Sequence, residues 1–300
     1  MEFQNIHHLL GHVRNRGQCK RLAIAAATDP HVLKAACRAY KENIANPFLI
    51  GDKPRMLSIL EDLQLELPEQ NLIHEPDVDN AARAAVALVR EGSADYLMKG
   101  LLNTSNMLKA VLNHDNGLQR GGTLSHISIN ELPTYHKLLV VTDAGILIQP
   151  SLTEKVAIIR NAVGALHAMG YECPKVAVLA ALEKVNPKMP ETVDAAALKD
   201  MNISGELSSC IVEGPISMDL TLDPKAAQIK GFSSPVVGNA DILVVPNIAC
   251  GNILNKGLRY LANSQQVGIV LGAQVPIVLT SRSASAQSKY LSIAVTSAMI

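Results

Sequence analysis

Leu22-Ala23-Ile24-Ala25-Ala26-Ala27-Thr28-Asp29-Pro30 sets six apolar residues before a hydroxyl, a carboxylate and a proline. An unbroken apolar run of that length reads as a strand buried on both faces, as in parallel sheets. Thr28 or Asp29 is placed to cap a helix, and Pro30 suits its first position, where a missing N–H is no loss. The same order recurs downstream. Residues 47–50 predict a second strand, with Gly51-Asp52 opening a helix. Residues 79–90 carry apolar side chains on a helical period, 94–98 are strand-like and 103–112 helical. Strand and helix alternate, so the strands are expected to be parallel with helices on both faces.

The middle of the chain changes texture. Residues 124–129 and 138–142 predict two strands joined by a polar connection, and 152–169 a long helix stopped by Gly170. Strands follow at 176–180, 210–212 and 241–245, with helices at 193–200 and about 251–262. Residues 267–271 and 276–280 are further strands, and 285–299 a terminal helix. The 300 residues of this α/β chain suit two domains. The expected division is 1–125 plus 274–300 as domain I and 126–273 as domain II. Alternation continues on both sides of 186–191, which reads as a loop inside the second domain rather than a linker.

Hydrophobic residues make up 48%, which supplies a core and excludes disorder as the main character. Lys+Arg and Asp+Glu both count 27, so there is no basic excess to coat nucleic acid. With no Trp and 3% aromatics, stacking platforms for bases are not expected either. No apolar run reaches the ~18 residues of a membrane span. Residues 1–17 hold no apolar stretch of signal-peptide length. The five cysteines, Cys19, Cys37, Cys173, Cys210 and Cys250, are odd in number and form no C-x-x-C pair. They argue against a disulfide framework or zinc knuckle and for reduced thiols in a cytoplasmic protein. The histidines are scattered, so no metal site is expected.

The phosphate loop G-x-x-x-x-G-K-[ST], the dinucleotide G-x-G-x-x-G, H-E-x-x-H and G-x-S-x-G are absent. Two strand-to-helix junctions carry the chemistry instead. In the first, residues 241–245 run into Pro246-Asn247, and Gly251-Asn252 opens a helix with Lys256 near its start. Glycine permits close backbone approach, and a helix start presents free N–H groups, so the junction is a cradle for an anion. An ordinary capped helix fits the same residues. In the second, residues 276–280 end in Thr280-Ser281-Arg282-Ser283, just before a helix. An arginine fork matches phosphate oxygens in pairs, and the hydroxyls add donors. A serine-rich cap with a surface arginine fits as well. Lys99, in Met98-Lys99-Gly100 at another strand end, adds a cation or is simply solvated. Asp219, after the tight turn of Glu213-Gly214-Pro215, positions a substrate or caps a helix.

Taken together, Asp95-Tyr-Leu-Met-Lys-Gly100, Thr142-Asp-Ala144, Ala177 to Glu183, Glu213-Gly-Pro-Ile-Ser-Met-Asp219, Gly238 to Asn247, Gly251-Asn252 and Thr280-Ser-Arg282 resemble the phosphate acetyltransferase and phosphate butyryltransferase family in order and spacing. The likeness runs from about Arg21 onward, and the pieces around Lys99 and Gly214 look closer to the butyryl branch. The resemblance implies a two-domain α/β/α fold of the isocitrate/isopropylmalate dehydrogenase type, with the active site in the interdomain cleft. It implies a homodimer that moves an acyl group reversibly between coenzyme A and inorganic phosphate, with coenzyme A as substrate and no tightly bound cofactor. It assigns Ser281 and Arg282 as catalytic, Arg282 holding phosphate and Ser281 bonding near the reacting carbonyl or thiol. Asn247, Gly251, Asn252, Lys256, Lys99, Gly214 and Asp219 are the expected substrate-binding residues.

One departure matters. Acetyl-branch members place an Asp a few residues after the Ser-Arg pair as base for the thiol, and butyryl-type members often have Asp where Ala284 stands. The segment Ser283 to Lys289 holds no acid here, and Asp219 is the first substitute candidate for the base. Two other readings remain open. One is a metal- and NAD-dependent hydroxy-acid oxidoreductase on the same fold, with Asp219, Asp223 and Asp241 as its only nearby acids. The other is a catalytically inactive homologue.

Overall fold

A computed structural model describes residues 3–15 and 19–300. In chain order the first elements are α1 (Ile6–Asn15), β1 (Lys20–Ala25), α2 (Pro30–Lys41), β2 (Ala45–Gly51), α3 (Lys53–Asp62), β3 (Leu72–His74), α4 (Val78–Arg90), β4 (Tyr96–Lys99) and α5 (Thr104–Val111). The middle holds β5 (Ser125–Glu131), β6 (Leu139–Thr142), α6 (Leu152–Ala168), β7 (Lys175–Leu179), α7 (Pro190–Ile203), β8 (Ile211–Ile216), α8 (Met218–Leu222), α9 (Pro224–Ile229), β9 (Ile242–Val244) and α10 (Ile248–Leu261). The chain finishes with β10 (Gln265–Leu271), β11 (Ile277–Val278) and α11 (Ala286–Ser297). It divides into two compact units. The first takes His7–Gly122 and Val267–Ile300; the second takes the chain up to Ile6 and Thr123–Gln266.

In the first unit the strands lie in the order β3-β2-β1-β4-β11-β10. All are parallel except β10, which runs antiparallel to β11. The opening apolar run forms β1, with Leu22, Ala23 and Ile24 fully buried. Asp29 caps α2, its Oδ1 accepting from Val32 N–H at 2.8 Å, and Pro30 takes the first helical position. Helices α2 and α11 pack together, as do α4 and α5. From β1 the chain passes to β2 on one side, then returns from β3 to β4 on the other. That reversal makes a switch point between β1 and β4, at whose carboxyl ends open α/β sheets hold ligands.

In the second unit β5 and β6 are antiparallel, and β6, β9, β7 and β8 follow in parallel. β9 comes last in sequence but inserts between β6 and β7. Its start is fixed by a buried ion pair, Lys137 Nζ to Asp241 Oδ1 at 2.7 Å, while Asp241 Oδ2 accepts from Lys175 N–H at 2.7 Å. A capping box opens α6, Ser151 and Glu154 exchanging bonds between side chain and backbone. Helix α1 was not among the expected elements. Its signal is legible in hindsight: Ile6, Leu9, Leu10 and Val13, all buried, fall on one helical face.

Candidate active site

β11 runs parallel to β4 with Val278 beside Met98, so both strands leave the sheet at one edge. β4 ends in Lys99 and Gly100, and β11 runs on toward Thr280-Ser281-Arg282. Gly100 is pressed onto the end of β1: its N–H donates to the Ala25 carbonyl at 2.9 Å, and Leu101 N–H donates to the Ala26 carbonyl at 2.8 Å. A Cβ at Gly100 would lie 2.4 Å from the Ala26 oxygen, so no other residue fits. Lys99 is thereby held inside, 4% exposed, with Nζ donating to the carbonyls of Gly100 at 3.3 Å and Leu102 at 3.1 Å. Burial, then the neighbouring charges of Lys289 and Arg282, bring its pKa down to about 8, with Asp29 acting in the opposite sense.

The Arg282 guanidinium donates from Nη2 to Asn103 Oδ1. Asn103 stands at the cap position of α5 without capping it, its oxygen being engaged by Arg282. Ser281 Oγ lies 3.0 Å from Ser283 Oγ, and Ser281 and Arg282 are both exposed. Ser285 caps α11 by accepting from Ser288 N–H at 3.2 Å. Lys289, in the opening turns of α11, is 4% exposed and donates to Thr280 Oγ1 at 3.4 Å and to the Ser281 carbonyl at 3.3 Å. Ser281, Arg282 and Lys99 are thus gathered in the first unit with Thr280, whose hydroxyl the sequence already offered as a donor, and with Asn103 and Lys289, which were not expected there. The one lysine in the otherwise uncharged segment Ala286–Ser297 was the available signal for the last of these. Ala284, the position at which the resemblance led to the expectation of an acid, is buried.

In the second unit the expected cradle is rearranged. α10 begins at Ile248, not at Gly251, with Asn247 as its cap, Oδ1 accepting from Cys250 N–H at 3.0 Å. The Gly251 N–H is therefore spent inside the helix, donating to the Asn247 carbonyl at 3.1 Å, and is no free donor. Gly251 is glycine for packing: a Cβ there would lie 2.8 Å from the Asp143 carbonyl oxygen and 2.9 Å from Ala144 Cα. Asn252 is exposed. Lys256 is in the second half of the helix, about 12 Å along the axis from its first residue, so it does not reinforce the start as expected. Asn247 and Cys250 line a cavity of about 200 Å³ together with Asp194 and the buried Lys155, which form an ion pair at 2.6 Å.

Gly214 lies within β8, where a Cβ would meet Val178 Cβ at 2.9 Å and Ala195 Cβ at 3.1 Å, so packing requires glycine there. Asp219 pairs with Lys230 at 3.0 Å, and the Ser217 hydroxyl lies within reach of both Asp219 Oδ1, at 2.5 Å, and Glu183 Oε1. The Ser217 hydroxyl first, and then Lys230, hold the Asp219 carboxyl down at about 2. Such a carboxylate is a weak base, which removes the reason for naming it the substitute for the missing acid. The Asp143 carboxylate, on the loop after β6, binds the N–H groups of Gly145, Ile146 and His126 at 2.7, 2.9 and 3.1 Å. It shapes the loop on which Gly251 packs.

The three acids offered for a metal are employed apart: Asp241 with Lys137, Asp219 with Lys230, and Asp223 as the cap of α9. Among the described residues no three His, Cys, Asp or Glu side chains are grouped for a metal ion. Nor, among them, is any helix long and apolar enough to cross a membrane.

The model of the phosphate acetyl/butaryl transferase family matches residues 70–297. Phosphate acetyltransferase from Thermotoga maritima is 43% identical over 279 residues, 93% of this chain and 95% of that protein. Phosphate butyryltransferase from Clostridium acetobutylicum is 42% identical over 277 residues, 92% of each. A branched-chain phosphotransacylase structure from Enterococcus faecalis matches at TM-score 0.80 and 33% identity, over 93% of this chain and 99% of that one. The fold is shared with a 4-hydroxythreonine-4-phosphate dehydrogenase from Burkholderia phymatum, at TM-score 0.50 and 14% identity over 94% of this chain and 98% of that one. That is the dehydrogenase-like α/β fold expected from the sequence. The chain belongs to the phosphate acetyl/butaryl transferase family. It is a phosphate acyltransferase, and the oxidoreductase alternative falls. Identities of 43% and 42% do not separate the acetyl from the butyryl branch.

Proposed function

We propose that the chain transfers a short acyl group, butyryl or a similar chain in preference to acetyl, between coenzyme A and inorganic phosphate, as a homodimer in the cytoplasm. The observation that carries the reading is the meeting of Arg282, Ser281 and Lys99 at the switch-point edge of the first unit. A phosphate oxygen attacks the thioester carbonyl, and the carbon–sulfur bond breaks to release thiolate. Arg282 grips the phosphate with its fork, Ser281 donates to the developing oxyanion, and Lys99 adds positive charge behind them. Holding two anionic substrates in one geometry supplies on the order of 7–11 kcal/mol at best. A thiol of pKa about 8.5 leaves without a strong acid. In the second unit Asn247, with the cavity at the start of α10, is the proposed place for substrate contacts. Gly251, Asn252, Lys256, Gly214 and Asp219 are supporting positions there. Five unpaired thiols support the compartment, and the exposed Ile253, Tyr260 and Leu261 of α10 support an interface between copies.

Thiol release from acetyl-, propionyl- and butyryl-CoA in the presence of phosphate tests the reading. The expected order of kcat/KM rises toward butyryl; a preference for acetyl overturns the chain-length assignment. No release from any of them would favour the inactive homologue. Double-reciprocal lines should intersect, and Cys250→Ala should stay active, because no acyl-enzyme is required; parallel lines would point to Cys250.

A further inference from the structure

Lys34, Arg38 and Lys41 stand at positions i, i+4 and i+7 of α2, so they form a stripe of cations along one face of the helix, about 10 Å from end to end. The negative end of the helix accounts for Arg38 and Lys41, which belong to its last turn, but not for Lys34 in the middle. The stripe borders a cavity of about 810 Å³, whose facing wall is the segment that follows α3. That wall brings Leu65, Leu67 and Pro68, while α2 adds Tyr40 and the buried Cys37. Burial pushes the Cys37 thiol up to about 11, so it stays neutral and the floor stays apolar. One acid, Glu66, lines the cavity against the three cations.

Arg38 is held in one pose. Its Nε donates to Glu42 Oε1 at 2.8 Å and its Nη1 to Gln287 Oε1 at 2.6 Å, and its guanidinium carbon lies 3.8 Å over the Tyr290 ring. Lys34 and Lys41, on either side of it, are exposed and able to reach a ligand. A cavity of this size holds a small organic molecule. A single carboxylate or phosphate would meet one cation and leave the apolar wall unused, and a purely apolar molecule would leave the cations unused. A chain of phosphates joined to a flat base uses both.

We propose that the cavity between α2 and residues 64–68 binds a nucleoside di- or triphosphate, its phosphates along Lys34, Arg38 and Lys41 and its base against Tyr40, Leu65 and Leu67. The site is separate from the Ser281–Arg282 turn and takes no part in acyl transfer. Side chains rather than a backbone cradle hold the phosphates, so affinity falls as salt is added.

Calorimetry of the full chain with ADP tests this. ADP should bind, and Lys34→Gln combined with Lys41→Gln should weaken binding by roughly tenfold. No binding to the wild-type chain, or equal binding to the folded double variant, overturns the proposal. If the double variant does not fold, Leu67→Glu, which sets a carboxylate in the apolar wall, is held to the same criterion. Tripolyphosphate, which has the charges without the base, should bind more weakly than ATP; equal binding overturns the role of the apolar wall. Coenzyme A carries a nucleotide of its own, so the kinetics of the double variant separate the two sources. Its KM values for phosphate and for butyryl-CoA should stay within about twofold of wild type. A rise in the butyryl-CoA KM that matches the loss of ADP affinity would make the cavity a seat for the substrate, and overturns a separate site.

Discussion

Arg282 and Asn103, 179 residues apart in the chain, meet by a hydrogen bond from the guanidinium Nη2 to the amide Oδ1. Asn103 is positioned to cap α5 and does not. Its side chain orients Arg282 instead. Asn103→Ala should therefore leave stability nearly unchanged and lower kcat/KM for phosphate by roughly tenfold, while Arg282→Ala should lower it by roughly 10- to 150-fold. Arg282→Lys should recover only part, since a point charge lacks the fork. Unfolding midpoints and steady-state kinetics of the three variants check this; a large stability loss in Asn103→Ala would mean that the residue serves the helix after all.

Lys99, with its pKa lowered from 10.5 to about 8, makes phosphate binding sensitive to pH. Below about 8 the ammonium is charged and attracts the anion; above it the charge is lost, so the phosphate KM should climb as pH rises from 7 to 9. Lys99→Met should show a higher KM at pH 7 and a flatter profile. For stability the sign is the opposite. Between about 8 and 10.5 the unfolded chain binds more protons at this lysine, so its burden on the fold is complete below about 8 and is relieved as pH rises. A wild-type phosphate KM that is flat from pH 7 to 9 would remove Lys99 from the site.

Gly100 is where the fold and the site share one atom's worth of space. Gly100→Ala would place Cβ 2.4 Å from the Ala26 carbonyl oxygen, and backbone cannot yield as a flexible side chain does. A loss of about 1–3 kcal/mol, or more, is expected, with activity falling further than stability because Lys99 is displaced with the turn. Urea unfolding and phosphate kinetics on the same preparation decide it.

Asp219 is ionised throughout the working range, its carboxyl held at about 2 by Ser217 and Lys230. Asp219→Asn should therefore leave the shape of the pH profile for acyl-CoA synthesis unmoved, whatever it does to KM. That profile should climb toward the free-thiol pKa of about 8.5, because the thiolate fraction sets it. A shift of the profile in the variant would restore Asp219 as the base.

Much of the fold is written locally. The run Leu22 to Pro30 specified a buried strand, its Asp29 cap and the first helical proline, because each depends on neighbours within a few residues. The Ser281–Arg282 turn is a local pattern of the same kind, an apolar strand ending in hydroxyls and a fork, and its proposed role rests on that pattern. Other features lay outside any local window. Whether α10 starts at Ile248 or Gly251 was settled by the Asn247 side chain and by the approach of Asp143 and Ala144, a contact across more than a hundred residues. Gly214 and Gly251 read from the sequence as ligand contacts, and only the folded chain shows the packing that by itself requires glycine at both, since a glycine required by packing and one required by a ligand are the same letter. Lys289 looked like any helix lysine until α11 was laid against the end of β11, which buries it against Thr280. Short-range geometry and apolar period are properties of the sequence by itself. Burial, charge proximity and the pairing of Arg282 with Asn103 exist only once distant segments meet, and the tertiary structure alone decided them.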